Sequence, residues 1–242
     1  MNNIAQIEQR ESIKKRGKFP AIVAGVVCVA VLVAASIMQP FEMPSTSMEN
    51  TLLPGDHFFV SRWPTEIRRG DVVAFRSPEE DRLFVVKRVV AIPGDKLHLR
   101  DGVLYLNDVR QDEPYVRHKL SDFNPYRDNF PAMPASESNG VSDQRWARSI
   151  PQYVQGDDLI LPPNSYFGMG DSRDISYDSR YYGFFPRENV VGKLTFIYWS
   201  FNTPPEAYER SLEDRDRLAF VAHIIIHFFD ETRWSRTFKV VK

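Results

Sequence analysis

Leu97-His98-Leu99-Arg100-Asp101-Gly102-Val103-Leu104-Tyr105-Leu106-Asn107 decides the fold class. Two runs of strand-forming residues flank Asp101-Gly102, and Asp-Gly supplies the two positive-φ residues that a tight type I′ turn requires. The stretch therefore predicts an antiparallel β-hairpin. The same kind of short run, rich in Val, Phe, Tyr and Leu and bounded by turn residues, recurs along the chain. It predicts strands at His57 to Ser61, Asp71 to Arg76, Leu83 to Ile92, Lys96 to Arg100, Val103 to Asn107, Ser165 to Met169 and Lys193 to Ser200. The reading is a mainly β domain.

Between Gln111 and Asp158 the chain turns polar and rich in Pro, Asn, Ser and Asp, with little periodicity, as in SDFNPYRDNFPAMPASESNG. That composition predicts a long surface insertion. The expected organisation is a β core made of residues 39–95 and 165–242, with a smaller β/loop subdomain at 96–164 inserted into it. The sequence contains no internal repeat and no low-complexity tract.

With 242 residues, 43% hydrophobic content and 17 Phe, the chain can bury a sizeable core, which excludes disorder throughout. The formal net charge is -1. Basic charge is concentrated at the start, where Arg10, Lys14, Lys15, Arg16 and Lys18 face only Glu8 and Glu11 within the first eighteen residues. Because this excess is local, nucleic acid is not a predicted partner. Cys28 is the only cysteine, so packing rather than an intrachain disulfide must hold the fold.

Ala21 to Met38, AIVAGVVCVAVLVAASIM, carries no charge. As a helix its eighteen residues would reach roughly 27 Å, near the thickness of a bilayer core. Residues 19–38 are thus expected to anchor the chain as a single transmembrane helix. The basic tail at 1–18 would stay in the cytoplasm, and the remainder would lie on the outer side of the membrane. A cleavable secretory signal is the competing reading, but its apolar region usually runs only about 7–15 residues. Near the other end, Leu218 to Phe229 is apolar yet too short to span, and a buried strand or helix edge is expected there. His223 and His227 stand four apart within it. No acidic partner at ligand spacing was evident, so no metal site is expected.

The expected anchor ends a few residues before Met43-Pro44-Ser45-Thr46-Ser47-Met48, which would hold any reactive group there close to the bilayer. A lone serine such as Ser47 can equally cap a helix or sit in a turn. As a nucleophile it needs a base, and His57, His98 and His118 have no accompanying acid motif. Lys87 interrupts the apolar run Leu83 to Val90. A lysine buried in such surroundings has its ammonium form disfavoured and can act as a base near neutral pH. This is the Ser-Lys variant of the catalytic triad. Strand alternation alone favours the reading in which Lys87 faces water opposite a buried valine.

Four segments taken together go further. PSTSMENTL (Pro44 to Leu52), RGDVVAF (Arg69 to Phe75), VVKRVVAIPGD (Val85 to Asp95) and GDSRDISYDSRYYGFFP (Gly170 to Pro186) resemble, in order, the signature boxes of bacterial type I signal peptidases. The resemblance implies an antiparallel β catalytic domain of the signal-peptidase kind, with Ser47 as nucleophile and Lys87 as general base. Ser45 and the Ser47 N–H would form the oxyanion hole, and Ser176 would orient the lysine. Asp178 and Arg180 would support the site, although an Asp-Arg pair can also be an ordinary surface ion pair. Gly170 and Asp171 would be architectural. Implied substrates are secreted preproteins with small residues such as Ala at the first and third positions before the cut. No metal or organic cofactor is implied.

Met48, Leu52, Val85 and Val86 flank the expected nucleophile and base and are candidates for the small substrate pockets, although each could equally be core. The substrate would pair, extended, beside a strand edge. One residue departs from the resemblance: Asn50 stands where the family usually has proline, so the turn after Ser47 loses a fixed φ. Asparagine tolerates unusual turn geometry, so the loop is expected to survive. Two other readings were weighed. A non-catalytic membrane-tethered β domain would leave Ser47 and Lys87 dispensable. A self-cleaving repressor would need a DNA-binding helix pair where this sequence has an apolar segment.

Overall fold

The computed structural model describes residues 20, 22–33, 35–63, 66–80, 82–132, 143–203 and 214–241. The basic tail expected at 1–18 lies outside them. Met1–Gln39 and Pro40–Lys242 are two compact units. In the first, residues 22–33 and 35–37 are helical, and among the described residues no helix is long and apolar enough to cross a membrane.

The second unit is built on two antiparallel sheets. Strands β1 (Met38–Glu42), β2 (Asp56–Ser61), β3 (Val72–Arg76), β4 (Phe84–Ala91), β10 (Ser165–Met169), β11 (Phe185–Pro186) and β12 (Val190–Ser200) form a seven-stranded sheet in the order β1-β2-β12-β3-β4-β10-β11. Strands β5 (Lys96–Arg100), β6 (Val103–Leu106), β7 (Val109–Arg110), β8 (Val154–Gln155) and β9 (Asp158–Ile160) form a five-stranded sheet in the order β7-β6-β5-β9-β8. The mainly β expectation holds, and all seven predicted strands are present within a few residues of their expected bounds. The hairpin forms as its turn chemistry requires: Asp101 has φ 51°, Gly102 has φ 77°, and Arg100 faces Val103 across the ladder.

Strand β4 lies inside the larger sheet, between β3 and β10. On one side β3 pairs with it from Phe84 to Arg88. On the other, β10 pairs only with Arg88, Val89 and Ala91, through a bulge between Phe167 and Gly168. Among the described residues, the β10 side of Phe84 to Lys87 therefore carries no neighbouring strand.

The polar stretch from Gln111 to Asp158 is not only a surface insertion. Asn124 caps the short helix α1 (Pro125–Asp128), accepting from the amides of Tyr126 and Arg127 at 3.0 Å each. Asp143 caps α2 (Gln144–Ser149) through the Arg145 amide, and Asp178 caps the short helix α3 (Ser179–Tyr182) through the Arg180 amide. Tyr126, Phe130, Trp146 and Ile150 are buried in one cluster with Leu97, Leu99, Leu104 and Leu106 of the smaller sheet. Val90, Phe167 and Met169 of the larger sheet belong to the same cluster. Four large side chains scattered over irregular backbone give no period to read, which is why composition suggested a surface loop.

The second correction concerns Leu218 to Phe229. These residues form most of helix α4 (Asp214–Ile226) and the turn after it, and they are exposed, with Leu218, Ile225, Ile226 and Phe229 all more than 70% accessible. An apolar run predicted burial, but among the described residues the aromatic contacts from Trp199 of β12 and from Phe201 just after it reach it at Phe228 and His223 and leave most of it uncovered.

Trp146 tests whether the insertion carries core. Its indole N–H donates to the Arg180 carbonyl at 3.0 Å, and the ring stacks near Tyr153 and meets Phe184 edge to face. Trp146→Ala is expected to lower unfolding stability by about 3–5 kcal/mol. An unfolding free energy from urea titration within about 0.5 kcal/mol of wild type, as for a surface substitution, would contradict this.

Candidate active site

Lys87 and Arg88 are consecutive on β4, so their side chains leave opposite faces of the sheet, and both are buried, at 3% and 2% exposure. Burial pulls the Lys87 amine down to about 8; Asp178 pulls it up, Arg180 pushes it further down, and Asp171 pulls it up. Room for the lysine comes from a missing side chain. A Cβ on Gly168 would stand 3.1 Å from Lys87 Cβ. Two residues along the chain, a Cβ on Gly170 would collide with Ser176 Oγ at 2.2 Å and with the Ser47 carbonyl oxygen at 2.5 Å. Lys87, Ser176 and the Ser47 backbone thus close on two glycines of one short segment.

Ser47 is half-buried in a tight turn closed by the Glu49 amide on Thr46 O (3.1 Å) and the Leu52 amide on Met48 O (2.8 Å). Its Oγ lies 3.2 Å from Ser45 Oγ, and its carbonyl accepts from the Ser172 amide at 3.1 Å. Asn50 has φ 100°, a left-handed conformation that proline cannot adopt, and its Nδ2 donates to the Tyr115 carbonyl at 3.0 Å. The turn is therefore held by a side-chain bond to the 111–117 segment. Met48 and Leu52 have no exposed surface and pack with Phe58, Val60 and Val72, beneath the turn. Val85 and Val86 are half-buried.

Two buried ion pairs tie these parts together. Arg88 donates to both oxygens of Asp171 at 2.9 and 2.8 Å, to the Gly70 carbonyl at 2.7 Å and to Thr51 Oγ1 at 3.0 Å. Thr51 in turn donates to Asp171, and the Tyr115 ring lies 3.8 Å from the Arg88 guanidinium carbon. Arg180 grips Asp178 in the same two-pronged way, at 2.9 and 2.8 Å, and both are completely buried. Asp178 also accepts from the Gly170 amide at 3.0 Å and from the Arg180 amide at 3.2 Å. Among the described residues Ser176 Oγ is buried without a hydrogen-bond partner, so the expected bond to Lys87 is not made here. Catalytic hydrogen bonds often close only when substrate is bound.

Comparison with known proteins decides the family. Residues 16–199 match the family described as "Signal peptidase, peptidase S26". The chain belongs to the signal peptidase family. Signal peptidase I of Rickettsia canadensis is 31% identical over 205 residues, covering 73% of this chain and 77% of that one. Signal peptidase I of Rickettsia prowazekii is 29% identical over 227 residues, covering 82% and 84%. A crystal structure of a signal peptidase I from Enterococcus faecalis shares 31% identity over 54% of this chain and 98% of that one, with a TM-score of 0.35. As a signal peptidase, the chain is a serine endopeptidase that removes signal peptides from preproteins.

Sequence reasoning missed how much of this signal peptidase's site is ionic. Two adjacent basic residues inside an apolar strand were the available signal, because a strand covered on both faces must bury both. Glu113, which holds Arg173 at 2.8 and 2.6 Å, was hidden in the polar stretch. The histidine pair also needs correcting: Glu231 supplies the carboxylate judged absent, with its Oε2 3.0 Å from His223 Nε2. A cleft lined by His98, Arg100, Asn129, Phe130 and Asp157 belongs to the smaller sheet and includes none of the predicted site residues.

Burial alone would raise the Asp178 carboxyl, but Arg180, Lys87 and the Gly170 amide together hold it below the usual carboxylate range. A depressed folded pKa contributes stability above the unfolded value of about 3.9 and loses it as pH falls through the folded value. Asp178→Asn strands a buried guanidinium and is expected to cost about 3–5 kcal/mol at pH 7. It should also flatten the acid limb of a stability-against-pH curve. An unchanged curve would mean that the pair contributes nothing to folding.

Proposed function

We propose that this signal peptidase cleaves preproteins at the outer surface of the cytoplasmic membrane by a Ser-Lys mechanism, with Ser47 as nucleophile and Lys87 as general base. The burial of Lys87 carries the reading, because it gives the chain an amine that is neutral at mildly alkaline pH, on a strand joined to the Ser47 turn through Gly168 and Gly170. Lys87 Nζ takes the proton as Ser47 Oγ attacks the scissile carbonyl. The tetrahedral oxyanion is met by the Ser47 N–H and the Ser45 hydroxyl. Collapse breaks the C–N bond as Lys87 returns its proton to the leaving nitrogen, giving an acyl-enzyme and the mature protein's amino terminus. The neutral Lys87 then takes a proton from water, whose attack frees the signal peptide and Ser47. Ser176, whose hydroxyl has no other partner, orients the lysine, while Asp178 and Arg180 balance the charge behind it. None of these steps calls on a metal or cofactor.

The unpaired edge of Phe84 to Lys87 offers backbone groups to an extended substrate, in the manner of strand addition. Val85 and Val86 flank that edge, and Met48 and Leu52 support it from below. Pockets of this kind suit Ala-X-Ala sites. The apolar segment at 19–38 anchors the chain as a single pass, with 1–18 in the cytoplasm and the catalytic core, 39–95 and 165–242, outside with its inserted 96–164 subdomain.

Processing of a preprotein with an Ala-X-Ala site, by protein purified in detergent, tests the mechanism. Ser47→Ala should abolish cleavage, and equal activity would transfer the role away from Ser47. Lys87→Arg should do the same, because a guanidinium does not deprotonate at working pH. Ser45→Ala should lower kcat by about 10²–10³. Since the free amine is the active form, kcat/KM should rise with pH through an acid limb centred near 8. A limb near 6, or none, would point to a different base.

A further inference from the structure

His223, His227 and Glu231 succeed one another at four-residue spacing, which places them one turn apart on a single helix face. The backbone keeps helical bonding through all three: the His227 amide donates to His223 O and the Glu231 amide to His227 O, both at 2.9 Å. One ligand atom from each lies within 4.8 Å of the others. Glu231 Oε2 is 3.0 Å from His223 Nε2, and Glu231 Oε1 is 3.8 Å from His227 Nδ1. Asp230 Oδ2 stands 2.9 Å from His227 Nδ1.

We propose that these three side chains form a binding site for a divalent transition cation of the Zn²⁺ class, where α4 meets the C-terminal segment. Two imidazoles and one carboxylate are a donor set that such a borderline cation takes at about 2.0–2.2 Å. Tetrahedral bonds of that length place ligand atoms about 3.3–3.6 Å apart. The 3.0 Å between Glu231 Oε2 and His223 Nε2 lies close to that range, and with one ligand atom of each residue within 4.8 Å of the others, side-chain rotations complete the geometry. Asp230 against one ring nitrogen of His227 is the arrangement that fixes ring and tautomer in metal-bound histidines, leaving the other nitrogen for the ion. The cluster is open to solvent, which gives the ion an entry path and a water for its fourth position.

The role of the site is structural. The Glu231 carbonyl accepts from the Asn202 amide at 3.0 Å, and the Arg233 amide donates to Ser200 O at 2.8 Å, at the end of β12. Further along, Arg236 pairs with Asp56 and donates to the Thr51 carbonyl at 2.9 Å, in the turn that follows Ser47. An ion on His223, His227 and Glu231 would fasten α4 to this brace, stabilising the fold by preferential binding to the native state.

The test uses the full chain in detergent, without a polyhistidine tag, stripped with EDTA and titrated with ZnCl₂ by calorimetry. One Zn²⁺ per chain is expected, with affinity at least 100-fold weaker in the His223→Ala/His227→Ala double variant. Asp230→Asn should weaken it about 10–100-fold. Zn²⁺ should raise the thermal midpoint of wild type and leave that of the double variant unchanged, while stripped wild type still processes a preprotein. Co²⁺ should give the visible absorption of a four-coordinate site in wild type and not in Glu231→Gln, a check that stands if the double variant misfolds. Identical titrations for wild type and Glu231→Gln would overturn the proposal and leave the cluster as an ion-paired helix end. Loss of processing on stripping would overturn the structural role.

Discussion

A charged lysine cannot be left in the middle of a sheet without compensation, and the desolvation of Lys87 is the constraint around which this structure is arranged. Moving an ammonium into such a site costs several kcal/mol, so the protein either supplies a counter-charge or lowers the proton affinity. Here it does both, in opposition. Asp178 is close enough to favour the protonated form, but its two oxygens are already gripped by Arg180, whose own charge pushes the other way. The residual effect of burial brings the amine to about 8 rather than to the much lower value that unpartnered burial can give. A surface ion pair at 178 and 180 could not do this, because solvent would screen both members equally.

The turn carrying Ser47 is held with comparable thoroughness, and from three directions. Ser172 N binds its carbonyl, the Tyr115 carbonyl holds Asn50, and Thr51 enters the Arg88–Asp171 pair. The tethers come from the 171–172 segment, from Tyr115 and from Arg88 on β4, so the position of Ser47 is fixed by the folded unit rather than by the turn's own conformation. That explains how asparagine can stand where proline is usual. The rigidity that a fixed φ would supply locally comes instead from a side-chain bond spanning 65 residues. Positioning of this kind is what lets a hydroxyl attack without first losing conformational freedom.

Which features were legible in the sequence follows from how local their causes are. The Asp101-Gly102 hairpin could be read outright, because two positive-φ residues and the flanking strands suffice to define it. Strand positions were readable for the same reason. Lys87 was not, since alternation says only that one face differs from the other, and it took residues distant in sequence, Gly168 against Lys87 and Asp171 on Arg88, to bury both side chains. Resemblance over four segments supplied what local pattern could not. Tyr126, Phe130, Trp146 and Ile150 were missed because their burial is decided by a sheet formed elsewhere in the chain. The exposed run on α4 was misread for the converse reason: apolar character predicts burial only when some element is available to cover it.

The open edge of β4 has a traceable physical origin. Strand β10 runs beside β4 as far as Met169, opposite Arg88, and the next amide along, that of Gly170, would be placed to continue toward Lys87. It does not, because Asp178 accepts that N–H at 3.0 Å and turns the chain out of the sheet. The carboxylate that tunes the lysine therefore also ends the ladder one residue before it. A side chain at 170 would defeat the same turn by striking Ser176 and the Ser47 carbonyl. Base strength, access to the strand edge and the approach of the serine turn are thus coupled through one buried acid and one glycine. In the proposed mechanism an extended substrate would take up the hydrogen-bonding positions that β10 gives up, which brings its backbone alongside Lys87 without any rearrangement of the sheet.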